Sequence, residues 1–318
     1  MTHIRQENEL TFGAACLLTL IAFVWGLNFV VIHLGLGHFP PLLFSALRFL
    51  VCACPWVFFV PRPQISAGAL LSLGVVLGIF VFAGLFIGMY EGVPAGIASL
   101  TMQAQVFFTI LLGRFVLSER SSPVQIVSVI IGFGAIFWMI IIQGAIGTYA
   151  GILLVLSGAL SWGIANIMMK RLPPVNMLGL MVWISLVPPI PLFLLSIGID
   201  GWSTVAASLR AFDLGGFAAI AYTGLLSTIF AYGMWGSMLQ RFPTTAVAPF
   251  ALLVPVFGLL TAYLFLGERD TIAQFEASVA IIIALAANIW HRKIEKLLLS
   301  RKKADMADIS ISRKYERP

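Results

Sequence analysis

PAGIASLTMQAQVFFTILLGRFVLSER, residues 94–120, and PTTAVAPFALLVPVFGLLTAYLFLGER, residues 243–269, are one apolar segment written twice. Both copies begin on proline and end on Glu119-Arg120 or Glu268-Arg269. Phe108 falls opposite Phe257, Leu111 opposite Leu260 and Leu117 opposite Leu266. Only six of the 27 aligned positions are identical, so the echo carries its information mainly in its spacing. A second pair supports it: Val24-Trp25-Gly26-Leu27-Asn28 near the start and Ser161-Trp162-Gly163-Ile164-Ala165-Asn166 midway. Two such repeated features predict a chain built from two similar halves.

The composition says where those halves reside. With 60% hydrophobic and 10% charged residues and a mean hydropathy of +1.01, a chain of this length has more apolar surface than a soluble core can hide. Apolar stretches long enough to cross about 30 Å of hydrocarbon as helices run over 11–33, 39–60, 68–90, 94–117, 123–142, 149–169, 177–198, 214–238, 243–266 and 272–290. The expected fold is therefore an all-α membrane protein of ten transmembrane helices, five to a repeat. The repeats span 11–142 and 149–290, with a basic tail over 292–318. Continuous runs such as Ile126 to Ile142 lack the strict alternation of a membrane β-barrel. The first apolar run exceeds a signal-peptide core and reads as a retained helix. Cys16, Cys52 and Cys54 read as small apolar filler rather than as a disulfide or metal set.

Charge sets the expected orientation. With the amino terminus cytoplasmic, the inner loops hold Arg5, Arg62, Arg114, Arg120, Lys170, Arg171 and Arg241, and the outer loops only Arg210 and Arg269, as the positive-inside rule requires. Both termini then lie inside. The tail carries nine basic residues against four acids, +5 of the total +6. It reads as a topology signal or a site for anionic lipid, and the basic balance is no argument for nucleic acid. An odd number of helices per half starts the second half on the opposite side, so the echo becomes an inverted repeat.

Within the spans, Arg48 is the costliest residue, since a cation at mid-membrane depth costs about 2.5–3.5 kcal/mol on insertion scales. It holds a substrate anion such as a carboxylate, or it ties helices together; residue type alone leaves both open. Glu91 and Glu276, at the membrane edge, are the candidate proton-coupling groups, with simple solvation the alternative. Polar and aromatic residues recur at helical spacing: Trp25 with Asn28, Ser99 with Gln103 and then Gln105, Trp162 with Asn166, and Thr228 with Tyr232 and Trp235. Such faces line a substrate path or bond neighbouring helices. Glycines four apart, including Gly74 with Gly78, Gly84 with Gly88 and Gly147 with Gly151, mark close helix packing. Pro249 and Pro255 lie in the second echoed segment and are the candidate gating positions, since proline frees backbone groups and permits bending.

No phosphate-binding loop, zinc-hydrolase or serine-hydrolase motif is present, and Lys170 is the only lysine before residue 293. The chain thus reads as neither an ATP-driven pump of that kind nor an enzyme. No metal or cofactor is expected.

Trp25-Gly26-Leu27-Asn28-Phe29, Pro40-Pro41-Leu42 leading to Leu47-Arg48-Phe49, Pro94-Ala95-Gly96 with Gln103-Ala104-Gln105, Tyr232-Gly233 with Trp235-Gly236, and Val247-Ala248-Pro249 with Val254-Pro255 resemble the EamA family of the drug/metabolite transporter superfamily. Within it the chain is most similar to the bacterial amino-acid metabolite exporters. The resemblance covers about 20–290 and implies ten helices in two EamA repeats, an inner-membrane location and export of small metabolites such as cysteine and O-acetylserine. The expected mechanism is alternating access around a central site, with the lipid bilayer, a small-molecule substrate and protons as partners. The competing expectations are export of another small metabolite or drug, and a membrane scaffold that moves nothing.

Overall fold

The structure is a computed structural model that describes residues 10–118, 121–144, 149–242, 247–269, 271–297 and 299–300. Glu119-Arg120, Gly147, Pro243 and most of the basic tail, all used in the sequence reading, lie outside the described residues. Among the described residues the chain is entirely helical, without strands. Nine helical segments are long and apolar enough to cross a bilayer: α1 (Phe12–Gly35), α2 (Pro41–Phe58), α3 (Ala67–Tyr90), α4 (Ala95–Val116), α6 (Tyr149–Lys170), α7 (Met177–Asp200), α8 (Leu214–Met238), α9 (Ala248–Leu266) and α10 (Ile272–Ile289). A further long helix, α5, covers Pro123–Gly144, with a shorter apolar portion, Pro123–Met139, and a short helix over Trp202–Arg210 lies between α7 and α8. Large side chains such as Ile130, Phe265 and Phe275 stay exposed on the outside. An apolar exterior of this extent suits hydrocarbon and not water.

Most helix starts follow local chemistry. Thr11 accepts the N–H of Ala14 at 3.3 Å, Asp213 that of Gly216 at 2.8 Å, and Thr271 with Gln274 forms a reciprocal capping box on α10. Each oxygen satisfies an N–H that the first helical turn leaves unpaired. The start of α4 has no such local cap, because the residue before it is Pro94. The Glu268 carboxylate, from the end of α9, accepts instead from Ala95 N–H at 2.7 Å and Gly96 N–H at 3.0 Å.

Six spans are interrupted, and the interruptions come in matched pairs. In α2 the α-helix stops at Ala53 and resumes as a 3₁₀ turn at Trp56–Phe58; in α7 it stops at Ile184 and restarts at Pro189. Both breaks sit at prolines, which cannot donate to the preceding turn. In α3 and α8 a π-helical stretch replaces α-helix, over Gly74–Phe80 and Tyr222–Phe230. In α4 the helix pauses at Gln103, and α9 begins as 3₁₀ over Ala248–Leu252.

Packing obeys the same exchange of halves. α1 lies along α9 and α8, while α6 lies along α4 and α3; α2 meets α7, α4 meets α9, and α5 meets α10. Two of the close approaches use the repeated features together. A Cβ on Gly26 would come within 2.5 Å of Phe257 Cβ, and one on Gly163 within 2.9 Å of Phe108 Cβ. The glycine of each Trp-Gly pair thus receives the echoed phenylalanine of the other half. Gly84 and Gly88 in turn face the backbones of Gly158 and Gly151 across α3 and α6.

Candidate functional site

The matched interruptions surround a central cavity of about 120 Å³. A water needs roughly 10–15 Å³ in the same measure, so this space holds several waters or a small solute. Seven of the polar and aromatic residues singled out from the sequence line it: Trp25 and Asn28 from α1, Arg48 from α2, Gln103 and Gln105 from α4, Trp162 from α6 and Tyr232 from α8. Ser227 of α8 also lines it, and Phe29, Phe82, Leu85, Met102, Ala251 and Val254 form its apolar side.

Arg48 is 1% exposed. Its Nη2 donates to Thr228 Oγ1 at 2.8 Å, and its guanidinium carbon lies 3.9 Å from the centre of the Phe82 ring. Phe49 adds a second ring at 5.5 Å. Aromatic faces attract a cation but do not neutralise it. Among the described residues, Nε and Nη1 have no hydrogen-bond partner; together they carry three of the five N–H donors of the group. No carboxylate lines the cavity among the described residues. Near the surface, His38 Nδ1 lies 3.1 Å from Asp213 Oδ1.

The π stretch of α8 explains how Thr228 comes to meet Arg48. A π turn shifts the helical hydrogen-bond register and exposes main-chain oxygens. Thr228 donates its own hydroxyl to Thr223 O, five residues back, at 3.0 Å, which leaves the Thr228 oxygen to accept from Arg48. In the same stretch Ser227 O accepts from Trp25 Nε1 at 3.0 Å, and Gly224 O accepts from Cys52 Sγ at 3.3 Å. Side chains from α1 and α2 are thereby fastened to α8. Cys16, Cys52 and Cys54 are free thiols.

The aromatic wall is continuous: Trp25 stands 5.2 Å from Tyr232 between ring centres, and Tyr232 stands 6.5 Å from Trp162. Trp235 lies behind it, 5.3 Å from Trp25, and does not line the cavity. Asn28 is buried, and its Oδ1 has no partner among the described residues. Asn166 is engaged differently, donating to Gln105 Oε1 at 2.8 Å and to Thr109 Oγ1 at 3.0 Å. It orients Gln105 from α6 and does not itself line the space. Ser99 is fully buried, donates to Gly96 O at 2.6 Å and packs on Gly258; it holds α4 to α9.

Pro249 sits in the 3₁₀ turn of α9, and Pro255 is buried near the start of the α-helical part that follows. The two prolines bracket the Ala251 and Val254 lining. Glu91, at the end of α3, and Glu276, in the first turns of α10, are both exposed, and neither pairs with Arg48. Phe82 and the carbonyl oxygens of the α8 π stretch escaped the sequence reading. Phe82 is one of 25 phenylalanines, and nothing in its spacing separates it from the others.

Comparisons with known proteins agree with this architecture. The chain matches the EamA-like transporter family over residues 12–141 and again over 149–290. A protein of Escherichia coli named "Probable amino-acid metabolite efflux pump" is 40% identical over 286 residues, which covers 87% of this chain and 95% of the relative. A protein of Salmonella typhimurium with the same name is 38% identical over 285 residues, with the same coverage. A solved crystal structure shares the fold at a TM-score of 0.56 and 16% identity, covering 87% of this chain and 98% of its own. Two family matches on the two halves, together with relatives of this identity along most of their length, establish that this integral membrane protein belongs to the EamA-like transporter family.

Proposed function

We propose that the protein is a secondary exporter of small zwitterionic amino-acid metabolites, of the cysteine and O-acetylserine class, working by alternating access across the inner membrane. In this reading α5 also spans, which makes ten helices. The two five-helix halves are then inverted relative to one another, and both termini are cytoplasmic. The charge bias of the loops and the exchange-matched packing of the halves support that arrangement. The names of the two relatives support the direction of transport and the substrate class.

The observation that carries the proposal is the pair of unpartnered polar groups in one cavity. Arg48 offers Nε and Nη1 to a carboxylate, and guanidinium is suited to this because its planar fork matches carboxylate geometry. Asn28 offers Oδ1 to an ammonium group, and the rings of Trp25, Tyr232 and Trp162 favour a cation close by. Arg48 is the one cation in the lining among the described residues, and a single cation favours a singly charged or zwitterionic ligand over a phosphate-rich one. Proton coupling through Glu91 or Glu276 would act from the membrane edge, since both are exposed.

Counterflow of labelled amino acids in proteoliposomes tests this, with Arg48→Met beside the wild type. Buried ionic groups replaced by apolar chains of similar volume often leave stability unchanged or raise it. The variant should therefore melt at or above the wild-type temperature in detergent while its exchange falls at least tenfold. Unchanged exchange, or a variant that loses stability, would return Arg48 to the role of a helix tie.

A further inference from the structure

Arg48 raises a question that the substrate reading does not answer: what accompanies the charge when no substrate is present. Its surroundings include the Thr228 hydroxyl on one nitrogen, the Phe82 ring at 3.9 Å, the Phe49 ring at 5.5 Å and the cavity. The side chain is 1% exposed, and its remaining donors on Nε and Nη1 have no partner. A cation so enclosed is stabilised either by pairing or by water. Pairing with a side-chain carboxylate is not on offer, because among the described residues none lines the cavity.

We infer that the unloaded cavity binds a small monovalent inorganic anion, chloride under ordinary conditions, on Nε and Nη1 of Arg48, and that the substrate carboxylate takes its place. The inference rests on the reading of Arg48 as the carboxylate site, and adds a competitor to it. Charge sets the valence: one anion neutralises the one cation in the lining, whereas a divalent anion would leave a net negative charge against Trp25, Trp162 and Tyr232. Size agrees, because about 120 Å³ admits a halide together with waters. The donors also lie in low-dielectric surroundings, where attraction between unlike charges is much less screened than in bulk water.

The indole rings of Trp25 and Trp162 in the same wall provide the measurement. Purified full-length protein in detergent is titrated with sodium bromide against sodium gluconate at constant ionic strength, reading tryptophan fluorescence. The wild type should show a saturable quench above the linear collisional one. Arg48→Gln should lose the saturable part, and Arg48→Lys should keep it at least tenfold weaker. On the wild type alone, free of any folding concern, L-serine should move the bromide midpoint upward at least fivefold. Linear quenching alone in the wild type overturns the inference and leaves water as the partner of the empty site. If bromide saturates but L-serine does not move its midpoint and no amino acid exchanges in proteoliposomes, the anion site stands and the substrate reading fails. If exchange depends on Arg48 and bromide never saturates, the reverse holds.

Discussion

The two copies of the repeated segment, α4 and α9, make the same packing contact and present different chemistry. Phe108 of α4 receives Gly163, and Phe257 of α9 receives Gly26. At the cavity, α4 contributes Gln103 and Gln105, where α9 contributes Ala251 and Val254. Close approach of two helix backbones is a condition that both halves must meet, so its residues persist in both copies. A ligand touches both halves at once, so its polar contacts need to be supplied by only one of them. Duplication thus preserved the scaffold and left the lining free to diverge.

The comparison is most strongly stressed at its shared contact. Gly26→Ala puts a methyl group 2.5 Å from Phe257 Cβ and 2.8 Å from the Gly258 backbone nitrogen, and overpacking of that kind costs about 1–3 kcal/mol. Gly163→Ala meets its neighbours at 2.9 and 3.3 Å, so its cost should sit near the lower end of the same range, about 1 kcal/mol. Melting temperatures of the two variants in detergent would show the order, and equal losses would mean that the two contacts are not graded as the distances imply.

A smaller effect is expected where α9 caps α4. Glu268→Gln keeps an acceptor for Ala95 or Gly96 but removes the negative charge from the helix N-terminus, a change of about 0.3–1 kcal/mol. Replacement by alanine removes both bonds and should cost about 0.5–2 kcal/mol, the range for lost helix caps. Chemical denaturation of the two variants in mixed micelles measures the difference, and a null result for alanine would sever the link between the ends of the two copies. Smallest of all is Asn166→Ala, where interhelical hydrogen bonds in membranes average about 0.6 kcal/mol. Stability should hardly move, whereas the apparent substrate KM should rise because Gln105 loses its tether. An unchanged KM would place Gln105 outside the binding surface.

Much of the fold was legible before any coordinates. The apolar lengths marked the nine long apolar spans to within a few residues and missed the short helix Trp202–Arg210, and the echo with the Trp-Gly pair announced two halves. Arg48, Trp25, Asn28, Trp162 and Tyr232 stood out because polar and aromatic residues at membrane depth are costly or conspicuous. The π stretches, by contrast, have no signature in Tyr222–Phe230 or Gly74–Phe80 that ordinary helix would not also show. Ser99 and Trp235 looked like lining residues by type and spacing, yet one turns to a backbone oxygen of its own helix and the other stands behind Trp25. Helical spacing identifies a face, and only the neighbouring helices determine whether that face meets a cavity.

The sequence alone determined that the chain lies in a bilayer, that it is doubled, and that one fixed charge is carried into its interior. Those are properties of composition and of short-range order, and transfer from water to hydrocarbon enforces them residue by residue. Tertiary structure alone decided that the glycine of one half meets the phenylalanine of the other, that a carboxylate at the end of α9 completes the start of α4, and that Arg48 and Asn28, each with unsatisfied polar atoms, line the same small space. Each is a contact between residues far apart in the chain, and no pattern of spacing along one helix encodes which other helix will lie against it.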